Sequence, residues 1–254
     1  MAFFPNRVRQ VALSACLAVG ISATPVHAGL VDPGLTINWW VNGSFVGTLA
    51  PSGVFNENFG WWTYTVLGAT DPNSGVTING TLNGDPDPLI STNLTVENPF
   101  LAIVEITLQV MLPISPTLPL GSEMQGSAAI GLTTDSGGGS LSTFGGKPLW
   151  QGLIDGLPAG PGAALFFDAF ALTNGGLGSS SSSGNFGVPF PVIGPPVLTS
   201  IGIEINFSLT QFDQASITSV FSVVPAPGVV GLLALGAFGV RRRRRRARAG
   251  SLHL

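Results

Sequence analysis

The sequence predicts an all-β protein, an antiparallel β-sandwich of the jelly-roll-like type, and three observations lead to this prediction. First, the middle of the chain consists of short runs in which apolar and polar residues alternate, which is the period of a strand with one buried face. Second, these runs are separated by Gly, Pro, Asn and Asp, which favour turns. Third, no internal repeat and no linker divides residues 29–222. We therefore expect one sandwich domain there.

Eight segments carry the strand pattern. In chain order they are residues 35–41, 44–49, 61–67, 76–82, 89–97, 101–111, 198–210 and 215–224. The dipeptide Asn42-Gly43 between the first two favours a two-residue hairpin. Alternation is clearest in residues 198–210, where Ile201, Ile203 and Ile205 share one face. The last two segments are separated by a short turn, and we expect them to pair as antiparallel neighbours.

The segment between residues 113 and 196 gives weaker signals. Half of residues 153–162 are Gly or Pro, so no regular element is expected there. Residues 163–173 fit a buried strand or a short helix equally, because periodicity does not separate these for a short apolar run. Residues 174–187 contain five consecutive serines, and this composition predicts a mobile loop.

The predicted domain is strongly acidic. All 13 acidic residues lie between Asp32 and Asp213, whereas Lys147 is its single basic residue, so its net charge is −12. Such a charge repels phosphate polymers and anionic lipid head groups, which excludes nucleic acid as a partner. The domain also lacks His and Cys, the residues on which most nucleophilic triads and transition-metal sites depend.

Two kinds of site based on carboxylates remain to be weighed. A pair of acids can hydrolyse glycosides, and the candidate acids are Asp155, Asp168, Glu105 and Glu204. No motif assigns roles to them, and the two glutamates fall on polar strand faces, so we expect no enzymatic activity and no cofactor. Oxygen ligands for Ca²⁺ also cluster in residues 71–75 and 85–87, but turn formation is the favoured interpretation of both segments.

Two tryptophan pairs suggest a surface for sugars. Because adjacent strand residues face opposite sides, each pair should place one indole in the core and one outside. If the two strands are neighbours, the outer indoles form a flat platform on which sugar rings stack. Core packing with a cross-strand aromatic pair is the favoured alternative. The four residues are Trp39, Trp40, Trp61 and Trp62.

The N-terminus has the pattern of a secretory signal peptide over residues 1–28. Arg7 and Arg9 precede a small apolar run, and no acidic residue is present. Signal peptidase is expected to cleave between Ala28 and Gly29. The segment ending at Cys16 also fits a lipoprotein box, but too few apolar residues precede it.

The C-terminus, residues 223–248, has three parts in a fixed order. A proline-containing motif comes first, then the apolar run 229–240, then six arginines. The prolines keep the motif extended, and the apolar run extended back to residue 223 reaches only the lower limit of a membrane span. The arginines remain cytoplasmic. The motif residues are Val224, Pro225, Ala226, Pro227 and Gly228, and the arginines are Arg241, Arg242, Arg243, Arg244, Arg245 and Arg246.

This tail resembles the PEP-CTERM sorting signal of bacterial surface and exopolysaccharide-associated proteins. The resemblance covers about 30 residues, and Ala226 stands where the family has its name-giving Glu. It implies processing by a membrane transpeptidase, an exosortase; an uncleaved tail anchor is the alternative. We therefore expect an exported, non-enzymatic protein of the cell surface or an exopolysaccharide matrix. The alternative expectation is a carbohydrate-binding module that uses the tryptophan pairs.

Overall fold

The structure is a computed structural model that describes residues 31–226, and within this range the chain is all-β with one 3₁₀ turn at Pro161–Ala163. The first nine strands are β1 Thr36–Val41, β2 Ser44–Leu49, β3 Gly53–Asn56, β4 Trp61–Thr70, β5 Thr77–Asp85, β6 Leu89–Glu97, β7 Val104–Pro113, β8 Ser122–Thr134 and β9 Gly139–Ser142. The others are β10 Trp150–Ile154, β11 Leu157–Pro158, β12 Ala164–Leu165, β13 Ala171–Asn174, β14 Gly178–Phe186, β15 Val192–Gly194, β16 Ser200–Leu209 and β17 Gln214–Pro225.

These strands form two sheets, and neighbouring strands within each sheet pair in antiparallel fashion. In the first sheet the order is β11-β10-β16-β7-β1-β2, with β12 beside β10 and β9 between β13 and β16. In the second sheet the order is β14-β8-β17-β6-β5-β4-β3, with β15 beside β8. The all-β, two-sheet prediction is therefore confirmed for the described residues.

One hydrophobic core lies between the two sheets. Alternate residues of β7 are buried from Val104 to Leu112, as are alternate residues of β17 from Ala215 to Val223. Nearly all buried apolar side chains of both sheets belong to a single cluster. Burial of one face of the long central strands therefore holds the sheets together.

Three aromatic rings connect the sheets inside this core. Trp150 of β10 lies 5.8 Å from Phe186 of β14 and 6.1 Å from Phe221 of β17, measured between ring centroids. Glycines make room for the rings, because a Cβ on Gly152 would lie 2.8 Å from the Phe221 ring and one on Gly126 would lie 2.5 Å from Phe186. The close approach of the sheets at this point therefore depends on residues without side chains.

The hairpin predicted at Asn42-Gly43 is confirmed. β1 and β2 pair with Val41 opposite Ser44, which leaves a two-residue turn. Both turn residues have positive φ, 50° at Asn42 and 74° at Gly43. This is the backbone geometry for which the Asn-Gly dipeptide is selected.

The predicted pairing of the last two strands is wrong, because β16 lies in the first sheet and β17 in the second. The chain crosses between sheets at a corner held by the buried Asn98. Asn98 Nδ2 donates hydrogen bonds to the carbonyl oxygens of Leu209 and Thr210, at 3.1 and 3.0 Å. Its own backbone carbonyl accepts a hydrogen bond from the N–H of Phe212 at 2.7 Å. A short turn therefore serves here as a corner and not as a hairpin.

The predicted mobile serine loop is also wrong. Residues 178–186 form the strand β14, which pairs along its whole length with β8. Partly buried and exposed side chains alternate along it. Backbone pairing with β8 thus overrides a composition that normally indicates a loop, because serine side chains are small enough for either face of an edge strand.

The segment between residues 113 and 196, whose sequence signals are weak, contains further short strands. Residues 153–162, expected to be irregular, include the end of β10 and the two-residue β11. The ambiguous residues 163–173 begin in the 3₁₀ turn and also contribute to β12 and β13. The longest strand, β8, carries no clear strand pattern in the sequence, because Gly and Ala are prominent in it and have low strand propensity.

Replacing Gly152 by Ala should destabilise the protein by about 1–3 kcal/mol, since the new methyl group overlaps the Phe221 ring and the sheets must separate. Gly47→Ala in β2 is the matched control, because nothing lies within 4 Å of the point where its Cβ would be added. Chemical denaturation of both variants measures the difference. Equal unfolding midpoints would show that the gap between the sheets is not tightly packed.

Candidate functional site

The two ends of the sandwich differ in what they carry. We call the end where β17 finishes at Pro225 the tail end, and the end where β17 begins at Gln214 the distal end. The distal end carries the β1–β2 turn, the loop between β4 and β5, and the corner at Phe212. The tail end carries the β3–β4 turn and the turn between β5 and β6.

The predicted sorting motif begins inside the second sheet. Val224 and Pro225 are the last residues of β17, where they pair with Glu123 and Ser122 of β8. Both are exposed, and a proline is tolerated at a strand end because no further ladder hydrogen bond is needed from it. Ala226 is the last residue that the structure describes.

The remaining terminal predictions lie outside the described residues. These are the cleavage site at Ala28 and Gly29, the motif residues Pro227 and Gly228, and the arginines 241–246. Within residues 31–226 no helix is long and apolar enough to cross a membrane.

Each tryptophan pair has one indole inside and one outside. Trp39 and Trp62 are 2% and 9% exposed and belong to the core, whereas Trp40 and Trp61 are partly exposed on outer faces. However, β1 belongs to the first sheet and β4 to the second. The condition for one shared platform is therefore not met, because the outer indoles lie on opposite faces of the sandwich.

Trp61 and Phe59 form an aromatic surface at the tail end. Their ring centroids are 5.0 Å apart and their planes differ by 14°, so the rings are stacked. A groove of about 520 Å³ lies on the same hairpin, lined in part by Asn56, Asn58 and Thr63. The exposed aromatic faces and the polar groove together suit a ligand with both apolar and hydroxyl-rich sides.

Trp40 has a different partner at the distal end. Its ring centroid lies 5.3 Å from that of Phe45, its cross-strand neighbour on β2. Phe45 in turn lines a groove of about 370 Å³, which we call the distal groove. Its lining includes Asn42, Ser44, Phe45, Asn73, Ser74 and Phe100.

The glutamate with the most hydrogen bonds, Glu204, lies in a polar row on the outer face of the first sheet. Its carboxylate accepts hydrogen bonds from Gln151 Nε2 at 2.8 Å, Asn206 Nδ2 at 2.9 Å and Gln109 Nε2 at 3.4 Å. Lys147 Nζ lies 3.7 Å from Glu204 Oε1. These donors occupy both oxygens, so the row is a stabilising network rather than a reactive pair.

The other candidate acids for hydrolysis are not drawn into a shared site with Glu204. Glu105 is exposed on β7. Asp168 accepts hydrogen bonds from Thr143 Oγ1 and from the N–H of Ala169, which holds its own loop.

Asp155 fastens the start of β16. Its carboxylate accepts hydrogen bonds from the N–H groups of Leu198, Thr199 and Ser200 and from the Thr199 hydroxyl, the shortest at 2.7 Å. Burial by itself raises the pKa of this carboxyl group, but the four donors outweigh it and hold the pKa below its usual value. Asp155 therefore has a structural role, because it holds the backbone of residues 198–200 in place.

The two candidate calcium segments are turns. Asp71 accepts hydrogen bonds from the N–H of Asn73 and from the N–H and hydroxyl of Ser74. Burial raises the pKa of Asp71, and these hydrogen bonds more than offset it, so the pKa is lowered. In the second segment Asp85 accepts a hydrogen bond from the N–H of Asp87. Within residues 31–226 no group of three His, Cys, Asp or Glu side chains is placed to hold a metal ion.

The sequence does not predict one hydrogen-bonded carboxylate at the tail end, that of Asp32. The carboxylate of Asp32 accepts hydrogen bonds from the N–H of Gly34, the N–H of Gly53 and the hydroxyl of Tyr64, at 2.9, 2.7 and 2.9 Å. Burial, followed by the hydrogen bond to Asp32, raises the pKa of Tyr64. Gly53 and Tyr64 are far from Asp32 in the sequence, so no local pattern indicates these contacts.

The described residues thus define an all-β protein of two antiparallel sheets, with outward aromatic residues near shallow grooves. No protein-family model matches the chain, and no curated protein matches its sequence.

Solved structures give distant similarities. A cyclase from Fischerella sp. TAU is 12% identical with a TM-score of 0.25, over 64% of this chain and 90% of the cyclase. The enzymatically active domain of tailspike protein 4 from bacteriophage CBA120 is 10% identical with a TM-score of 0.23, and the match covers 74% of this chain and 19% of the tailspike chain. The structure of infectious bursal disease virus Gx strain is 14% identical with a TM-score of 0.17, and the match covers 80% of this chain and 63% of the viral chain. At these TM-scores the similarities carry no argument about function.

Replacing Asp155 by Ala should cost about 1–3 kcal/mol at pH 7, because several backbone N–H groups lose a charged acceptor. The folded pKa is lowered, so this stabilisation is complete above about pH 4, the usual value in unfolded chains, and is lost as the pH falls through the folded pKa. Urea denaturation between pH 2 and 7 should therefore show the difference from the unmodified protein shrinking below about pH 4. Glu105→Ala, at an exposed position, is the control. A stability difference between Asp155→Ala and the unmodified protein that grows in acid would contradict the structural role of Asp155.

Proposed function

We propose that this protein is an exported, non-enzymatic component of the cell surface or of an exopolysaccharide matrix, sorted by an exosortase-type membrane enzyme. The observation that carries the proposal is the order of the three tail parts: the motif at residues 224–228, the apolar run 229–240 and the arginines 241–246. A signal peptide at residues 1–28, removed by signal peptidase, delivers the chain across the membrane. The apolar run is the transient membrane helix.

The end of β17 supports this proposal. Val224 and Pro225 are exposed at the end of the strand, so a membrane enzyme that recognises the motif meets it directly beside the folded domain. In the proposal, the sandwich itself remains intact while the tail is processed.

The properties of the domain support a structural role. Its net charge of −12 keeps it apart from nucleic acid and anionic lipid, while uncharged polysaccharide is not repelled. We further assign the sandwich to the jelly-roll-like type, supported by connections that cross between the sheets from β2 to β3, β6 to β7, β7 to β8 and β16 to β17.

Mass spectrometry of the protein from envelope fractions tests the sorting step. In cells that contain an exosortase, the mature protein should lack residues 1–28 and 241–254. In otherwise identical cells without that enzyme, the arginine cluster should be retained. A cytosolic product that keeps both ends would refute export and sorting together.

Carbohydrate binding is the second candidate function, and the stacked pair of Phe59 and Trp61 is the observation that favours it. Phe59 is 64% exposed, and the adjoining groove presents amides and hydroxyls from Asn56, Asn58 and Thr63. Aromatic faces beside such groups bind the C–H face and the hydroxyls of a sugar ring.

Replacing Trp61 by Ala should lower retention of the protein on amorphous cellulose or insoluble β-1,3-glucan severalfold, because the stacked aromatic face is lost. Leu67→Ala is the matched control: this side chain lies on the same strand and is exposed, but it is not aromatic. A pull-down assay measures retention. Equal retention of both variants would exclude the Phe59–Trp61 surface as a sugar site.

A further inference from the structure

The distal groove lies where loops of both sheets meet. On one side is the β1–β2 hairpin of the first sheet, and on the other is the loop of residues 71–75, which joins β4 to β5 of the second sheet. Phe100, from the connection between β6 and β7, also lines it. The groove is therefore at the opposite end of the sandwich from Pro225 and from the Phe59–Trp61 surface.

Two phenylalanines expose aromatic surface to this groove. Phe45 is 57% exposed and Phe100 is 44% exposed. Trp40 packs against Phe45 from β1, at 5.3 Å between ring centroids, and this contact restricts the rotation of the Phe45 ring. The groove thus has aromatic faces that are already positioned before a ligand arrives.

Three polar side chains of the groove retain a donor or an acceptor that a ligand can use. Asn42 Oδ1 accepts the N–H of Glu105 at 2.9 Å, which fixes the amide and leaves its Nδ2 as a donor. Asn73 Nδ2 points to Asp71, which leaves Asn73 Oδ1 as an acceptor. The exposed residue Ser44 adds a hydroxyl, which can donate or accept. A donor, an acceptor and a hydroxyl that acts as either therefore line the groove.

The charges around the groove select an uncharged ligand. Asp71 lines the groove, but it is buried and its carboxylate already accepts hydrogen bonds from Asn73 and Ser74, so it is not presented to a cationic ligand. The single lysine of the described range, Lys147, pairs with Glu204 on the outer face of the first sheet. An anionic ligand such as a uronic acid would meet no basic partner and an acidic domain.

We propose that the distal groove binds an uncharged sugar unit of a polysaccharide. The ring stacks its C–H face on Phe45 or Phe100, while its hydroxyls bond to Asn42, Ser44 and Asn73. A volume of about 370 Å³ suits a small ligand. This site is separate from the Phe59–Trp61 surface and does not depend on how the tail is processed.

The test is calorimetric titration of the full chain in detergent with neutral gluco-, galacto- and manno-oligosaccharides, and with oligogalacturonate as the charged counterpart. We expect saturable binding of at least one neutral oligosaccharide. Phe100→Ala should weaken it by about tenfold through loss of a stacking face. Ser44→Ala, a small change at an exposed position, should weaken it severalfold. Leu101→Ala is the control, because Leu101 is exposed beside Phe100 but does not line the groove.

Each other outcome overturns the proposal in a distinct way. No saturable binding of any neutral oligosaccharide excludes the site, and tighter binding of oligogalacturonate excludes an uncharged ligand. Binding that is lost in Trp61→Ala but kept in Phe100→Ala and Ser44→Ala excludes the distal groove and supports the tail-end surface instead. The sorting proposal is unaffected by all three, since it is measured on the mature C-terminus.

Discussion

The burial of two apolar sheet faces against each other is the interaction on which the rest of the structure depends. The chain has a single cysteine, Cys16, which lies outside the described domain, so no disulfide within residues 31–226 holds the sheets together. Few charged residues are present to form ion pairs. The aromatic contacts of Trp150 with Phe186 and Phe221 cross the gap, and they require glycine at positions 126 and 152. Packing that is this close leaves little freedom for either sheet to shift.

Polar side chains fix the loops at the ends of the sandwich, where the backbone leaves the sheets. Asp32 joins two loops and Tyr64 at the tail end, and Asn98 holds the corner at the distal end. Asp71 and Asp155 each bind several N–H groups of one loop. Because carboxylates and amides fix these loops, the grooves between them have definite shapes.

The sequence predicts the strands whose apolar residues alternate, such as β7 and β16, and the Asn42-Gly43 turn, because these depend on local periodicity and backbone preference. It does not predict β14, whose serines have no apolar stripe, nor β8, where glycine is needed opposite the Phe186 ring. The sheet to which a strand belongs is likewise hidden. That choice is made by contacts such as those of Asn98 with residues more than a hundred positions away.

The same limit applies to the candidate sites. Period-two alternation places one indole of each tryptophan pair outside, yet it does not show that β1 and β4 lie in opposite sheets. The distal groove joins Phe45, Asn73 and Phe100, which share no motif and meet only through the fold. Because β17 ends at the opposite end of the sandwich, a ligand in the distal groove would leave Val224 and Pro225 uncovered, so binding there and recognition of the predicted sorting motif are compatible.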